Sequence, residues 1–203
     1  MFPCRDLIPT STHDDHIIDR FFRPRRSIQE TDYSTPRPRG GYWYYTRTFE
    51  GSSYATYCRA PKTSNSCDVD WDGTKESPVL PGEEIYLDVN QLAEGKPYCS
   101  VGSVAASPSK KLIAYLVDYS GDEKYEMHVR DLETGEDVAM KEAGGDTLLE
   151  VADLVWGEND ETLYYVTMDE QQRPFRLFQR KYWKSNDPTD RMLKEDLDDL
   201  NWW

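Results

Sequence analysis

Two stretches of the sequence share one pattern: VAASPSKKLIAY at residues 104–115 and LVWGENDETLYY at residues 154–165. In each stretch an apolar run is followed by a polar turn and then by a second apolar or aromatic run. The offset between them is 50 residues, and the same offset carries His128 onto Phe178. A repeat of roughly 40–50 residues with several short strands is typical of a β-propeller blade.

Short aromatic and β-branched runs continue on both sides of this repeat, and turn residues separate them. They predict ten strands, at residues 42–49, 54–59, 84–89, 101–107, 112–118, 125–131, 137–141, 149–156, 162–168 and 175–180. The sequence therefore predicts an all-β chain, a partial β-propeller of about three four-stranded antiparallel blades. Without the repeat, a plain β-sandwich fits these strands about equally well.

The chain divides into two parts. Residues 1–39 hold prolines 3, 9, 24, 36 and 38 without a sustained period, which predicts an irregular or partly helical segment. Residues 40–203 form the incomplete propeller. Near its end, residues 192–200 have apolar side chains at 192, 193, 197 and 200. This spacing is equally compatible with one face of a helix and with a polar connection to a further blade.

A propeller usually needs at least four blades to close, so three blades leave something missing from this polypeptide. We expect an uncovered apolar face at each end and unpaired strand edges. The isolated chain should then be marginally folded and self-associating, more strongly as salt rises, because salt screens charge repulsion but not apolar contact.

Charge and hydropathy exclude several classes of protein. With 24 Lys and Arg against 38 Asp and Glu, the net charge is −14, which argues against binding to nucleic acid or to an anionic membrane surface. The longest apolar run, residues 112–117, is far shorter than the roughly 20 residues of a membrane helix.

The first residues lack the pattern of a secretory signal, and Cys4, Cys58, Cys67 and Cys99 show no C-x-x-C pairing. We expect free thiols and a cytoplasmic location.

No stretch of the sequence has the context of a catalytic nucleophile. Gly51-Ser52-Ser53-Tyr54-Ala55 lacks the final Gly of a nucleophile elbow and lies between two strands, so we interpret it as a hairpin turn. His128 and Asp131 resemble a base with its orienting acid, but no nucleophile accompanies them, and a histidine on a sheet face is the better interpretation. We therefore predict no catalytic residue in this chain.

The only candidate metal ligands are Asp68, Asp70 and Asp72, which with Gly73 reproduce the first half of a calcium loop. The loop fails at its twelfth position, where Val79 stands in place of a bidentate Glu. We prefer a solvated acidic insertion and expect no metal and no cofactor.

Several motifs resemble a known family, the oligopeptidase B branch of the prolyl oligopeptidases. They are Gly40 to Thr48 with Glu50-Gly51 and Tyr57-Cys58-Arg59; Glu84 to Asp88 with Asn90 and Leu92-Ala93-Glu94-Gly95; Ser107-Pro108; Ala114-Tyr115 with Asp118 and Ser120-Gly121-Asp122-Glu123; and Asp131 to Glu136. Their order and spacing are similar to the family's from about Asp32 to Arg180.

The resemblance implies a cytosolic serine peptidase that cleaves short peptides, typically after basic residues. In that family a seven-bladed propeller covers an α/β-hydrolase domain and selects substrates by size. The catalytic Ser, Asp and His lie in the hydrolase domain, which this sequence does not contain. The chain would then be an N-terminal propeller fragment, whose partners are the missing hydrolase domain and, in the whole enzyme, short peptides. The alternative is a stand-alone acidic β-rich module that binds basic peptides or proteins.

Calcium at 1 mM should leave the unfolding temperature of the chain unchanged, because the acidic insertion lacks its twelfth ligand. A site with a dissociation constant of about 10 μM would raise the free energy of unfolding by about 2.7 kcal/mol. Thermal melts with calcium and with magnesium measure this. A calcium-specific rise that is lost in Asp70→Asn would show that the insertion is a metal site.

Overall fold

The computed structural model describes residues 31–63, 78–138, 150–181 and 190–195, and the regular secondary structure in these ranges is almost entirely β-strand. The elements are β1 Asp32–Tyr33, β2 Arg37–Arg39, β3 Tyr42–Thr48, β4 Thr56–Pro61, β5 Glu84–Asp88, α1 Val89–Leu92, β6 Ser100–Ala106, β7 Leu112–Asp118, β8 Glu126–Asp131, β9 Val151–Trp156, β10 Thr162–Met168, β11 Pro174–Lys181 and β12 Asp190–Glu195. Within these ranges no helix is long and apolar enough to cross a membrane.

The strands form three antiparallel sheets that follow one another along the chain. The first sheet has the order β1-β3-β4-β5, with β2 also pairing with β3. The second has the order β6-β7-β8, and the third β9-β10-β11-β12. The second and third sheets are meanders of sequence neighbours, while in the first sheet both β1 and β2 pair with β3.

The central strand of the second sheet, β7, is buried along its whole length. Side chains alternate between the two faces of a strand, so β7 faces two different cores. Ile113 and Tyr115 pack with Leu87 of the first sheet. Leu112, Ala114 and Leu116 instead pack toward the third sheet. An uninterrupted apolar run is what a strand between two other sheets requires.

The core between the second and third sheets is the larger one. It joins Leu116 and Met127 of the second sheet to Leu154, Trp156 and Tyr165 of the third. The Tyr165 ring also stacks on Phe178, with ring centroids 5.2 Å apart. The repeat at an offset of 50 residues therefore corresponds to two sheets that pack face to face.

Part of the outer face of the first sheet is covered by the chain itself. Tyr45, Cys58 and Ala60 pack under Val79 and Leu80, which lie in the segment that leads into β5. The expectation of an uncovered apolar face therefore holds only in part at this end, where Ile85 of the same face is 57% exposed. The physical reason is that the connection between β4 and β5 is long enough to fold back over the sheet.

A buried ion pair fastens this cover. Glu83 accepts a hydrogen bond from the hydroxyl of Tyr45 at 2.7 Å and another from the backbone N–H of Val79 at 3.0 Å. It also pairs with the guanidinium of Arg47, whose side chain is almost fully buried. Separating a buried carboxylate from this many hydrogen-bond donors would cost free energy, so these contacts hold the covering segment in place.

The predicted fold class is confirmed: the described residues form consecutive antiparallel sheets of an all-β chain. Nine of the ten predicted strands are present, with ends that differ by at most two residues. Of the tenth, residues 137–141, only the start is described, where Asp137 forms a bridge with Arg130. The rest of that strand lies outside the described residues.

Two predictions at the ends of the sheets are wrong. Residues 31–39 belong to the first sheet, through β1 and β2, although we expected an irregular segment up to residue 39. Residues 190–195 form β12 and not a helix or a polar connection, and residues 196–200 lie outside the described ranges. These are short, polar edge strands; Pro38 is tolerated in β2 because an edge strand has a free side.

Leu116→Ala should lower the free energy of unfolding by about 2–5 kcal/mol, because it opens a cavity in the core between two sheets. Ile85→Ala is the control, since Ile85 is an aliphatic strand residue that is 57% exposed. Its cost should be below about 1 kcal/mol. Urea titrations at low protein concentration measure both. Equal losses would contradict the burial of Leu116 between the second and third sheets.

Candidate functional site

The serine turn that resembles part of a nucleophile elbow is a hairpin connection, as predicted. It links β3 to β4, and the backbone N–H of Ser52 donates to the carbonyl of Phe49 at 3.0 Å. Gly51 has a positive φ of 76°, which a tight turn requires and a side chain would disfavour. Ser52 is exposed in this turn.

His128 and Asp131 make contacts with different partners. The His128 ring stacks on Tyr115 with centroids 5.3 Å apart, and its Nε2 lies 3.3 Å from an oxygen of Glu126. The carboxylate of Asp131 accepts the backbone N–H groups of Glu133 and Thr134, which closes the turn after β8. The interpretation of His128 as a sheet-face histidine is confirmed.

Two of the four cysteines lie in the described ranges, and both are free and buried. Burial and the nearby Glu83 carboxylate raise the pKa of the Cys58 thiol to about 12. Burial also raises the pKa of Cys99, with a contribution from Asp118. Both thiols are therefore protonated near neutral pH, and neither has the character of a nucleophile.

Asp68, Asp70 and Asp72 lie outside the described residues, so their interpretation as a solvated insertion stays a prediction. Among the residues that the structure does describe, no group of three or more His, Cys, Asp or Glu side chains is arranged to hold a metal ion.

An open groove of about 710 Å³ lies along the third sheet, between the turn after β10 and the start of β12. Its floor includes the aromatic rings Tyr165, Phe175 and Phe178, and its charged side chains are Glu150, Asp169, Glu170, Arg176 and Asp190. Three of the four carboxylates are already in ion pairs, with Lys124, Arg173 and Arg180. The described residues that line it include no Ser, Cys or His, so the groove has no nucleophile of the usual kinds.

The polar contacts between the second and third sheets form the best-defined functional feature. Ser103 donates to Asp153 at 2.6 Å near the inner strands. At one end of the sheets, the turn residue Ser109 donates to Asp160 through both its backbone N–H, at 2.9 Å, and its hydroxyl. Trp156 donates from its indole nitrogen to the backbone carbonyl of Ala105 at 3.0 Å. We call these contacts the inter-sheet seam.

Every contact in the inter-sheet seam joins residues that are 50 or 51 positions apart. Equivalent positions of consecutive repeats lie next to each other because each sheet is placed on the preceding one in the same orientation. Sequence reasoning found the repeat but did not identify these residues. The repeat itself was the signal, since it pairs Ser103 with Asp153 directly.

The opposite end of the second sheet is organised by one buried carboxylate, that of Asp118. It accepts hydrogen bonds from the backbone N–H groups of Ser120, Gly121 and Glu123 and from the Ser120 hydroxyl, at 2.7–3.1 Å. Burial alone would raise the pKa of Asp118, but these hydrogen bonds together outweigh burial and lower it. The turn that follows β7 is therefore held by an ionised side chain.

In the third sheet, an aspartate likewise accepts backbone hydrogen bonds from the turn that follows a strand. Asp169, directly after β10, accepts the backbone N–H groups of Gln171 and Arg173 at 2.9 Å. The hydrogen bond from the Arg173 backbone is the main cause that lowers the pKa of Asp169. The turn of the third sheet also contacts that of the second, where Gln172 donates to the carbonyl of Asp122 at 3.0 Å.

Comparison with known proteins matches residues 15–187 to the family model described as prolyl oligopeptidase, N-terminal beta-propeller domain. The chain is 30% identical over 164 residues to dipeptidyl aminopeptidase BI of Pseudoxanthomonas mexicana, covering 80% of this chain and 21% of that protein. It is 27% identical over 172 residues to protease 2 of Moraxella lacunata, covering 85% of this chain and 23% of that protein. The chain thus spans between a fifth and a quarter of the length of these relatives.

Two solved structures agree with these relatives. Oligopeptidase B from Leishmania major is 31% identical, with a TM-score of 0.69 and coverage of 90% of this chain and 23% of that one. Oligopeptidase B from Trypanosoma brucei, in a closed form with covalently bound antipain, is 32% identical, with a TM-score of 0.66 and the same coverage. The resemblance stated from the motifs is confirmed, and so is its restriction to part of the propeller.

Asp118→Asn should lower the free energy of unfolding at pH 7 by about 1–3 kcal/mol, because the turn loses a charged acceptor. Folding lowers the pKa of Asp118, so its ionised form stabilises the fold fully above the ordinary pKa of an aspartate. This contribution disappears as the pH falls through the folded pKa. The difference between wild type and variant should therefore close in acid, as measured by urea unfolding between pH 7 and pH 3.

The control is Asp122→Asn, in the same turn, where the side chain is exposed. It should leave the free energy of unfolding nearly unchanged at every pH. A loss in Asp118→Asn that does not vary with pH, or an equal loss in the control, would contradict the role of the carboxylate.

Proposed function

Because the chain belongs to the prolyl oligopeptidase family, as part of its N-terminal β-propeller domain, we propose that it covers the catalytic domain of an oligopeptidase and admits short peptides to it. The peptidase resembles oligopeptidase B, and its substrates are short peptides that are cleaved after Arg or Lys. We further propose that the whole protein works in the cytoplasm. The free thiols of Cys58 and Cys99 are compatible with a reducing compartment.

The observation that carries this proposal is the likeness to oligopeptidase B in both sequence and fold, which extends over nine-tenths of this chain. The described residues supply no nucleophile in a suitable setting: Ser52 is in a hairpin, and the Cys58 and Cys99 thiols are buried and protonated. From the likeness to oligopeptidase B, we propose that the chemistry belongs to a hydrolase domain outside this sequence. The proposed role of this chain is to control the access of peptides to that domain.

The inter-sheet seam explains how a stack of sheets can act as a barrier. Ser109 and Asp160 join the turns of two sheets at one end, while Ser103 and Asp153 join the inner strands. Trp156 fills the core between them and is itself anchored by a hydrogen bond. Because polar contacts fix the seam and apolar packing fills it, the two sheets move together, and a peptide too large for the remaining opening is excluded.

The stand-alone acidic module is the competing function. The groove on the third sheet is acidic at its rim, but the ion pairs of Glu150, Asp169 and Asp190 already occupy most of its carboxylates. That arrangement does not favour a site for an added basic peptide.

The proposed function is tested by reading and expressing the coding DNA beyond the codon for Trp203. We expect further repeats of about 50 residues and then a Gly-x-Ser-x-Gly segment. The 203-residue chain should not hydrolyse a peptide after Arg or Lys, since its sequence holds no Gly-x-Ser-x-Gly segment to supply the nucleophile and its oxyanion donors. The longer product should do so, and a serine-directed inhibitor should stop it.

In the longer product, Asp160→Ala should raise the cleavage of long peptides relative to short ones, because it removes both hydrogen bonds to Ser109. Glu158→Ala, an exposed residue of the same turn, is the matched control and should leave this ratio unchanged. Turnover by the 203-residue chain alone, or a stop codon directly after Trp203, would contradict the proposal and favour the stand-alone module.

A further inference from the structure

One turn of the second sheet contacts both neighbouring sheets. It comprises residues 107–111, between β6 and β7, and we call it the junction turn. On one side, Ser109 donates to the Asp160 carboxylate of the third sheet through its backbone N–H and its hydroxyl. On the other side, Arg59, in β4 of the first sheet, donates from Nη1 to the carbonyl of Lys110 at 2.7 Å. Two adjacent residues of one turn therefore bind different sheets.

Contacts with its own sheet fix the position of the Arg59 guanidinium. Arg59 is only 7% exposed. Its Nε donates to Oε2 of Glu84 at 2.9 Å, and its Nη2 lies 2.8 Å from the same oxygen. Its Cζ lies 4.6 Å from the centroid of the Tyr42 ring. Because the guanidinium is planar, a carboxylate and a ring that hold part of it also set the direction of the remaining N–H groups.

The backbone of Lys110 shows that the junction turn is constrained. Lys110 has a positive φ of 67°, which is uncommon for a residue other than glycine and persists where the surroundings impose it. The carbonyl of Ser107 accepts the backbone N–H and the Nζ of Lys110, at 3.0 and 3.1 Å. The Lys110 side chain also lies so close to Gly40 that a Cβ there would overlap its Cε. The first sheet thus contacts both the backbone and the side chain of Lys110.

We propose that Arg59 is a positioning residue for the inter-sheet seam, which holds the junction turn in the conformation in which Ser109 meets Asp160. This inference rests on the proposed function, in which the seam keeps the second and third sheets together as part of a barrier. Arg59 belongs to neither of these sheets. Its effect passes through the backbone of the junction turn, so the first sheet stabilises a contact between the other two.

The two links reinforce each other because they order the same short segment. Fixing the backbone of a residue costs conformational entropy. A turn that Arg59 already holds therefore needs less ordering when Ser109 meets Asp160. The reverse is equally true, since coupling between two contacts is reciprocal. Loss of either link should weaken the other, so removing the second link should have a smaller effect once the first has gone.

A double-mutant cycle in the 203-residue chain tests this proposal. The readout is the equilibrium constant of unfolding, from urea titrations at low protein concentration. Arg59→Met and Asp160→Ala should each raise this constant. In the double variant we expect a rise that is smaller, by about fivefold or more, than the product of the two single rises. Arg59→Met keeps an apolar stem, and the Glu84 side chain that loses its partner is 52% exposed and stays hydrated.

Asp153→Ala provides the matched control cycle. Asp153 joins the same two sheets as Asp160 and also accepts a serine hydroxyl, but its donor, Ser103, lies in β6 and not in the junction turn. The rises caused by Arg59→Met and Asp153→Ala should therefore multiply to within about twofold. Single rises that multiply in the cycle of Arg59 with Asp160, or equal coupling in the control cycle, would overturn the proposal.

Arg59→Lys is the second variant, for use if Arg59→Met does not fold. Its ammonium keeps a charge beside Glu84 but lacks the planar fork that also reaches Lys110, so coupling to Asp160→Ala should have the same direction. In the longer product, Arg59→Met should raise the cleavage of long peptides relative to short ones. Coupling in the 203-residue chain without that change would support the positioning role of Arg59 and contradict the proposed barrier.

Discussion

The burial of β7 on both faces is the constraint on which the rest of the structure depends. A strand buried on one side tolerates polar residues at every second position, but β7 has a sheet on either side and is apolar from Leu112 to Val117. Ile113 and Tyr115 hold the first sheet, while Ala114 and Leu116 hold the third. The two cores therefore share one backbone, and the three sheets are stabilised as a stack rather than one by one.

The repeat of 50 residues determines which residues form hydrogen bonds between the second and third sheets. Because each sheet is placed on the preceding one in the same way, a position in one repeat contacts the equivalent position in the next. The hydrogen bonds from Ser103 to Asp153 and from Ser109 to Asp160 follow from this register. Small hydroxyl donors on one sheet and carboxylates on the next fix the separation of the sheets, while Trp156 fills the space between them.

The two ends of the stack differ, and this difference follows from the connections and not from the strands. The segment before β5 returns over the first sheet and buries Tyr45, and Glu83 fixes it there with an ion pair to Arg47. The third sheet has no such segment among the described residues.

The amino-acid sequence by itself determined the strand positions, the repeat and the family, because all three depend on local alternation and spacing. It predicted the turn at Gly51 and the place of His128 on a sheet face. It missed β12 and the cover formed by Val79 and Leu80, since short polar edges and returning segments have no period of their own. Only the tertiary structure decided which carboxylates hold the turns together. In the sequence, Asp118 and Asp160 do not differ from other acidic turn residues; in the structure, backbone N–H groups donate hydrogen bonds to both.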